Sequence, residues 1–186
     1  MNLKIKKWEI AGIIFIIGFG TTLHFWFEWT NYWRPMALIA AVNESTWEHF
    51  KMAFWPSIFF GIVEYFCLKI NANKFLFGKL LGLITMPIVT FVLFYSYTTI
   101  TGHHYLWVDV IIFMLSVIAG QYVSYKILVN EKTYPSSTGQ LAMVGIVVMI
   151  AAFSLLSYYP MKNFIFEHPD GHGEYGILDH YGDHDH

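Results

Sequence analysis

Cysteine is almost missing from these 186 residues: Cys67 is the only one, so no disulfide can close within the chain and a dithiol redox centre is excluded. Charge is scarce as well. Lys, Arg, Asp and Glu supply 13% of the residues against 56% hydrophobic, far from the balance of a water-soluble globular domain. The formal net charge is -2, with no basic stripe and no Gly-rich phosphate loop, so neither nucleic acid nor an acidic partner is favoured. The HExxH pattern of zinc proteases is absent too.

Long apolar runs are what the chain has in quantity. A hydrocarbon core about 30 Å thick takes about 20 helical residues to cross. Segments 8–27, 52–70, 76–97, 105–128 and 141–159 meet that length, the second helix starting early, near Asn43. The expected fold is all-α: an integral membrane bundle of five transmembrane helices over residues 1–160, followed by a His, Asp and Gly-rich tail over 161–186. Lys4, Lys6 and Lys7 precede the first run as in a signal peptide, but no small-residue cleavage site stands before Phe25, Trp26 and Phe27, so the run reads as a retained span.

With the N-terminus inside, Lys4, Lys6, Lys7, Lys69, Lys74, Lys79, Lys126 and Lys132 fall on the inner side, against Arg34, Lys51 and Lys162 outside. The asymmetry predicts a cytoplasmic N-terminus and an extracytoplasmic tail. Trp26, Trp29, Trp33, Trp47, Trp55 and Trp107 then mark the outer headgroup level.

Within the spans, Gly78 and Gly82 form a GxxxG pair that reads as a close helix contact. Glu64 and Lys79 lie at matched depth on either side of the short loop 71–73. An unpaired charge there would cost at least a few kcal/mol, so the two are expected to pair, with a proton relay as the alternative.

All nine histidines fall on the outer side of this topology: His24, His49, His103 and His104 near helix ends, and His168, His172, His180, His184 and His186 in the tail. The densest polar stretch, residues 43–51, opens the second helix. Ser45 with Glu48 fits a capping box, and Asn43 is an alternative cap. Glu44 with Glu48, and Ser45 with His49, are four apart and would share a helix face, with Lys51 placed to neutralise Glu48. His24 and Glu28 end the first span, four apart, while His103, His104 and then Asp109 open the fourth. Convergence of these three helix ends would give a divalent metal such as zinc a ligand pool of His24, Glu28, His49, His103, His104 and Asp109. Glu44, Ser45, Glu48 and Lys51 are the candidate catalytic groups. A purely structural polar network is the competing reading. The tail, rich in Gly and turn formers, is either a weakly metal-binding extension or, through Phe164, Ile165, Phe166 and Tyr175, a lid over the outer cavity. The apolar run 36–42 after Pro35 is too short to cross the membrane and should wall that cavity.

The segments Leu23-His24-Phe25-Trp26-Phe27-Glu28-Trp29 and Asn43-Glu44-Ser45-Thr46-Trp47-Glu48-His49-Phe50-Lys51, with Tyr175-Gly176 in the tail, resemble an uncharacterised family of small, mostly Gram-positive bacterial membrane proteins. The resemblance implies a multi-pass protein of a bacterial plasma membrane. Ser45 and His49 are also similar to the Ser-x-x-x-His element of alkaline ceramidases and adiponectin receptors, with Asp109 standing for their Asp. That likeness implies zinc-dependent hydrolysis, although five spans replace seven and the His-x-x-x-His spacings, His168 with His172 and His180 with His184, lie in the tail.

Three functions follow as expectations. The first is a metal-dependent hydrolase of a lipid-like substrate, with Glu44 or Glu48 as base and Lys51 over developing negative charge. The second is a protein that binds or passes a metal ion or proton, and the third a non-catalytic accessory subunit. In each the lipid bilayer is the constant partner.

Overall fold

The structure, a computed structural model, describes residues 2–168 and 175–177. Among the described residues it is all-α, with five helices long and apolar enough to cross a membrane: α1 (Asn2–Trp29), α2 (Thr46–Leu68), α3 (Ala72–Thr101), α4 (Leu106–Val129) and α5 (Ser136–Leu155). A short 3-10 helix, Arg34–Leu38, follows α1 with Pro35 in its first turn. The 28 residues of α1 rise about 42 Å at 1.5 Å per residue, more than the hydrocarbon requires.

The surface is largely apolar, and five charged side chains lie inside. Ile14, Phe66, Ile100, Leu106 and Leu141 are exposed, whereas Glu9, Glu48, Lys51, Glu64 and Lys79 are buried. That inversion fits a multi-pass protein solvated by lipid, where backbone polar groups are satisfied within helices. Helices α1, α2, α3 and α4 pack in a closed ring of neighbours, and α5 adds to α3. The GxxxG expectation holds: a Cβ on Gly82 would lie 2.8 Å from the Gly120 carbonyl, so α3 and α4 touch backbone to backbone.

Two ends result. One carries the C-termini of α1, α3 and α5 and the N-termini of α2 and α4, and with them His24, His49, His103, His104 and His168; we call it the histidine end. The other, the lysine end, carries the loops joining α2 to α3 and α4 to α5. Between them lies an apolar layer of Ile16, Ala53, Met86 and Val117.

The tryptophan expectation is corrected in part. Trp29, Trp33 and Trp107 are exposed and suit a headgroup belt, but Trp47 and Trp55 belong to the core. Trp47 is stacked between Phe153 of α5 and Phe166 of the tail, ring centroids 4.7 and 4.6 Å away. The described tail residues therefore lie against the bundle. Phe166 is buried, Glu167 bridges to Tyr175, Asn43 Nδ2 donates to the Gly176 carbonyl at 2.7 Å, and Ile177 N donates to Ser157 O. Gly176 has φ +68° and its missing Cβ would meet Ser157 O at 2.7 Å, so both backbone and space require glycine. His172, His180, His184 and His186 lie outside the described residues.

Candidate metal centre

Antiparallel packing of α1 on α2 builds the site. A Cβ on Gly20 would come within 2.3 Å of Met52 O, so the two backbones are in contact there. One turn further along each helix toward the histidine end, that contact sets His24 beside His49, ring centroids 5.6 Å apart. The segment between the helices is held down by Ala37, Ala40 and Phe27, which are buried together. It delivers Glu44 to both rings.

His24 Nε2 lies 3.2 Å from Glu44 Oε1, and His49 Nε2 lies 3.6 Å from Glu44 Oε2. One ligand atom from each of the three residues can be chosen so that all lie within 4.8 Å of one another. Tetrahedral zinc at metal to ligand distances of about 2.0–2.1 Å spaces its ligands about 3.3–3.4 Å apart, so the set, within 4.8 Å, would draw together around the ion. His49 Nδ1 is 2.9 Å from Ser45 O; because a carbonyl only accepts, Nδ1 is the donor and Nε2 is the nitrogen turned toward Glu44. A backbone carbonyl behind a ligating imidazole is a common way of fixing its tautomer. His24 Nδ1 is buried without a hydrogen-bond partner.

Glu44 divides two clefts. One, of about 210 Å³, is lined by His24, Phe25, Glu28, Tyr32 and Asn43, with Ala41 and Val42 as the wall expected from the apolar run. The other, of about 220 Å³, is lined by Thr46, Tyr95, Phe164, Glu167 and His168. The hydrogen bond from His24 holds the Glu44 carboxyl below the usual glutamate range against the opposing effect of desolvation, with the charges of His24, His49 and His168 adding. A carboxyl depressed on folding contributes stability that is complete above its unfolded pKa and fades as pH falls through the folded one. Across that acid window the thermal midpoint of the wild-type protein is expected to fall more steeply than that of Glu44→Gln, a difference read from melting curves at stepped pH.

Three expectations need correction. Helix α2 begins at Thr46, so Glu44 and Ser45 precede it and share no helical face with Glu48 and His49. Ser45 is the N-cap, its Oγ accepting from Glu48 N at 3.4 Å, but the reciprocal arm of the capping box is missing: Asn43 Oδ1 accepts from Ser45 N instead. Second, Glu48 and Lys51 are sealed from solvent. Lys51 Nζ donates to Glu48 Oε2 (2.8 Å), Ser157 Oγ (2.8 Å) and Ala37 O (2.7 Å), and Ser157 Oγ donates to Glu48 Oε1 at 2.6 Å. All of their strong contacts are internal, so as they stand they tie α2 to the segment beyond α5 rather than facing a substrate.

Third, the helix ends converge only in part. Glu28 lines the first cleft but adds no atom to the triad. The α4 group stays with α3: Asp109 accepts from Tyr97 OH, its other oxygen lies 3.3 Å from His104 Nδ1, and Tyr105 N donates to Tyr97 OH. His103 is exposed, its backbone tied to Thr101.

Residues 1–177 match the model of a family described as a family of unknown function, DUF6512. The chain belongs to that family. Comparison with curated proteins and with solved structures finds no match. The matched residues of this DUF6512 protein take in all five helices, the triad and the described part of the tail through Ile177. Ser157 and Glu9 are polar partners that the sequence signals unequally. Ser157 is one hydroxyl in an apolar stretch, which carries little signal. Glu9 was legible: an acid set between Trp8 and Ile10 at the start of a span demands a partner, and Lys79 supplies it at 3.0 Å.

Proposed function

We propose that this DUF6512 protein binds a divalent transition metal ion between His24, Glu44 and His49, and that zinc is the ion two imidazoles and a carboxylate suit best. One observation carries the reading: three donors from α1, α2 and the segment between them meet within 4.8 Å, on helices held in backbone contact. Three protein ligands leave a further coordination position, and His168 lines the adjoining cleft on the folded-back tail. Glu28, His103, His104 and Asp109 remain outside the ligand set.

We place the site on the outward face of a bacterial plasma membrane. Removing the buried Lys51 and Lys79 from the charge balance leaves Lys4, Lys6, Lys7, Lys69, Lys74, Lys126 and Lys132 at one end against Arg34 and Lys162 at the other, the asymmetry that marks the first end as cytoplasmic. Holding the ion is favoured over passing it, because the layer of Ile16, Ala53, Met86 and Val117 offers no imidazole or carboxylate midway.

A second reading, metal-dependent hydrolysis of a lipid-like substrate, draws on the clefts. Phe94, Tyr95 and Phe164 give one of them apolar walls suited to an acyl chain. In that reading Glu44 could act as base only by leaving the ligand set, since Ser45, Glu48 and Lys51 are committed to the cap and the buried pair.

Metal analysis of the full-length protein, with His172, His180, His184 and His186 replaced by Asn, tests the proposal. One equivalent of zinc is expected after equilibration and dialysis, falling at least tenfold in affinity in His24→Ala, Glu44→Ala and His49→Ala. Stoichiometric zinc that all three substitutions leave untouched would place the site elsewhere, and no bound metal would end the proposal.

A further inference from the structure

The lysine end holds a second buried polar cluster, remote from the histidine triad and separated from it by the apolar layer. Glu9 of α1, Glu64 of α2, Lys79 of α3, and Gln121 and Ser124 of α4 meet there, all buried. Lys79 Nζ lies 3.0 Å from Glu9 Oε1 and 2.5 Å from Glu64 Oε2. Ser124 Oγ donates to Glu9 Oε1 at 2.7 Å, and Gln121 Nε2 donates to the Glu9 backbone carbonyl at 3.4 Å. The expected pair of Glu64 and Lys79 is therefore present, but a second acid shares the same ammonium.

Charge does not balance. Two ionised carboxylates against one ammonium leave a net negative charge within the spans, where an uncompensated ion is strongly disfavoured. Among the described residues no other lysine of this end pairs with either acid; Lys4 donates to Cys67 O, Lys74 to Asn130 O, and Lys126 lies over the Tyr122 ring. Hydrogen bonding is also incomplete. Glu9 Oε2 and Glu64 Oε1 are buried with no partner, and Glu64 Oε2 has only its ion pair with Lys79.

We propose that this cluster is a membrane-embedded binding site for one exchangeable proton, carried on Glu64. A proton brings the cluster to neutrality and turns one orphaned acceptor into a donor. Glu64 is the carrier because Glu9 Oε1 already accepts from Lys79 and Ser124, whereas neither oxygen of Glu64 accepts a hydrogen bond. Close packing favours a proton over a hydrated sodium ion: a Cβ on Gly12 would lie 2.2 Å from Gln121 Nε2 and 2.9 Å from the Phe60 ring. Every helix that meets the cluster supplies one of its members, so gain or loss of the proton changes the net charge at a four-helix junction.

Infrared difference spectroscopy of the full-length protein in lipid vesicles reads the proton directly. The wild-type protein is expected to show, at neutral pH, one protonated-carboxyl C=O band that shifts down in D2O and titrates reversibly as pH is raised. Glu64→Gln removes it, and so does Glu9→Gln, because a single carboxylate opposite Lys79 needs no proton. Either variant suffices if the other fails to fold. Absence of the band in folded wild-type protein, its persistence in both variants, or its appearance only when sodium is withdrawn would each overturn the proposal, the last by assigning the site to the sodium ion.

Discussion

Lys51→Ala is expected to lower the stability of the bundle by about 3–5 kcal/mol, the usual cost of stripping the partner from a buried charge. Lys51 is fully buried and its ammonium has three partners, Glu48, Ser157 and Ala37 O. Removing it leaves Glu48 with the Ser157 hydroxyl and the Val42 amide, too little for a carboxylate out of contact with water. The double variant Glu48→Gln with Lys51→Met should cost markedly less than Lys51→Ala, because both charges leave together. Unfolding titrations in mixed micelles compare the two. A single variant as stable as wild type would mean that water reaches Glu48.

Exchanging the charges of Glu64 and Lys79 is the second large effect, and it is expected not to rescue. For an isolated pair, reversal in both residues restores the attraction. Here Lys79 stands between two acids, 3.0 Å from Glu9 and 2.5 Å from Glu64. After Glu64→Lys with Lys79→Glu, the new glutamate faces Glu9, whose remaining donor is Ser124. The yield of folded protein should stay near that of Lys79→Glu alone, itself reduced by the loss of a buried pair at a cost of about 3–5 kcal/mol. Adding Glu9→Gln should recover most of it. Fluorescence-detected size-exclusion chromatography of the three variants decides, and full recovery by the double exchange without Glu9→Gln would show Glu9 to be a bystander.

The five helices were legible because hydrocarbon thickness constrains length and composition at once, and little else competes with that pattern. Depth matching sufficed to pair Glu64 with Lys79, since charged residues within spans have few choices. The triad was only half legible. His24 and His49 stood out as imidazoles at the ends of neighbouring antiparallel helices, but Glu44 was assigned a helical position that the start of α2 at Thr46 denies it. Spacing rules apply only inside an element, and a boundary shift of a few residues turned a supposed neighbour of Glu48 into the link between the two histidines. Asp109 shows the opposite failure. It does lie at the histidine end, yet Tyr97 of α3 and His104 of the loop before α4 reach it first. Contacts across the sequence, such as Ser157 with Glu48 and Lys51, follow from rotation of helices about their axes, which composition and period leave open.

The greasy layer of Ile16, Ala53, Met86 and Val117 also limits how one membrane face of the molecule can inform the other. None of those four side chains is ionisable, and the Ser57 hydroxyl beside them is bonded to Ala53 O and Met86 Sδ. Communication between the faces is left to mechanics, and α2 is the lever that the architecture provides: His49 rides near one tip and Glu64 near the other. Pro56 lies between them, where a missing backbone amide makes the rod easiest to bend.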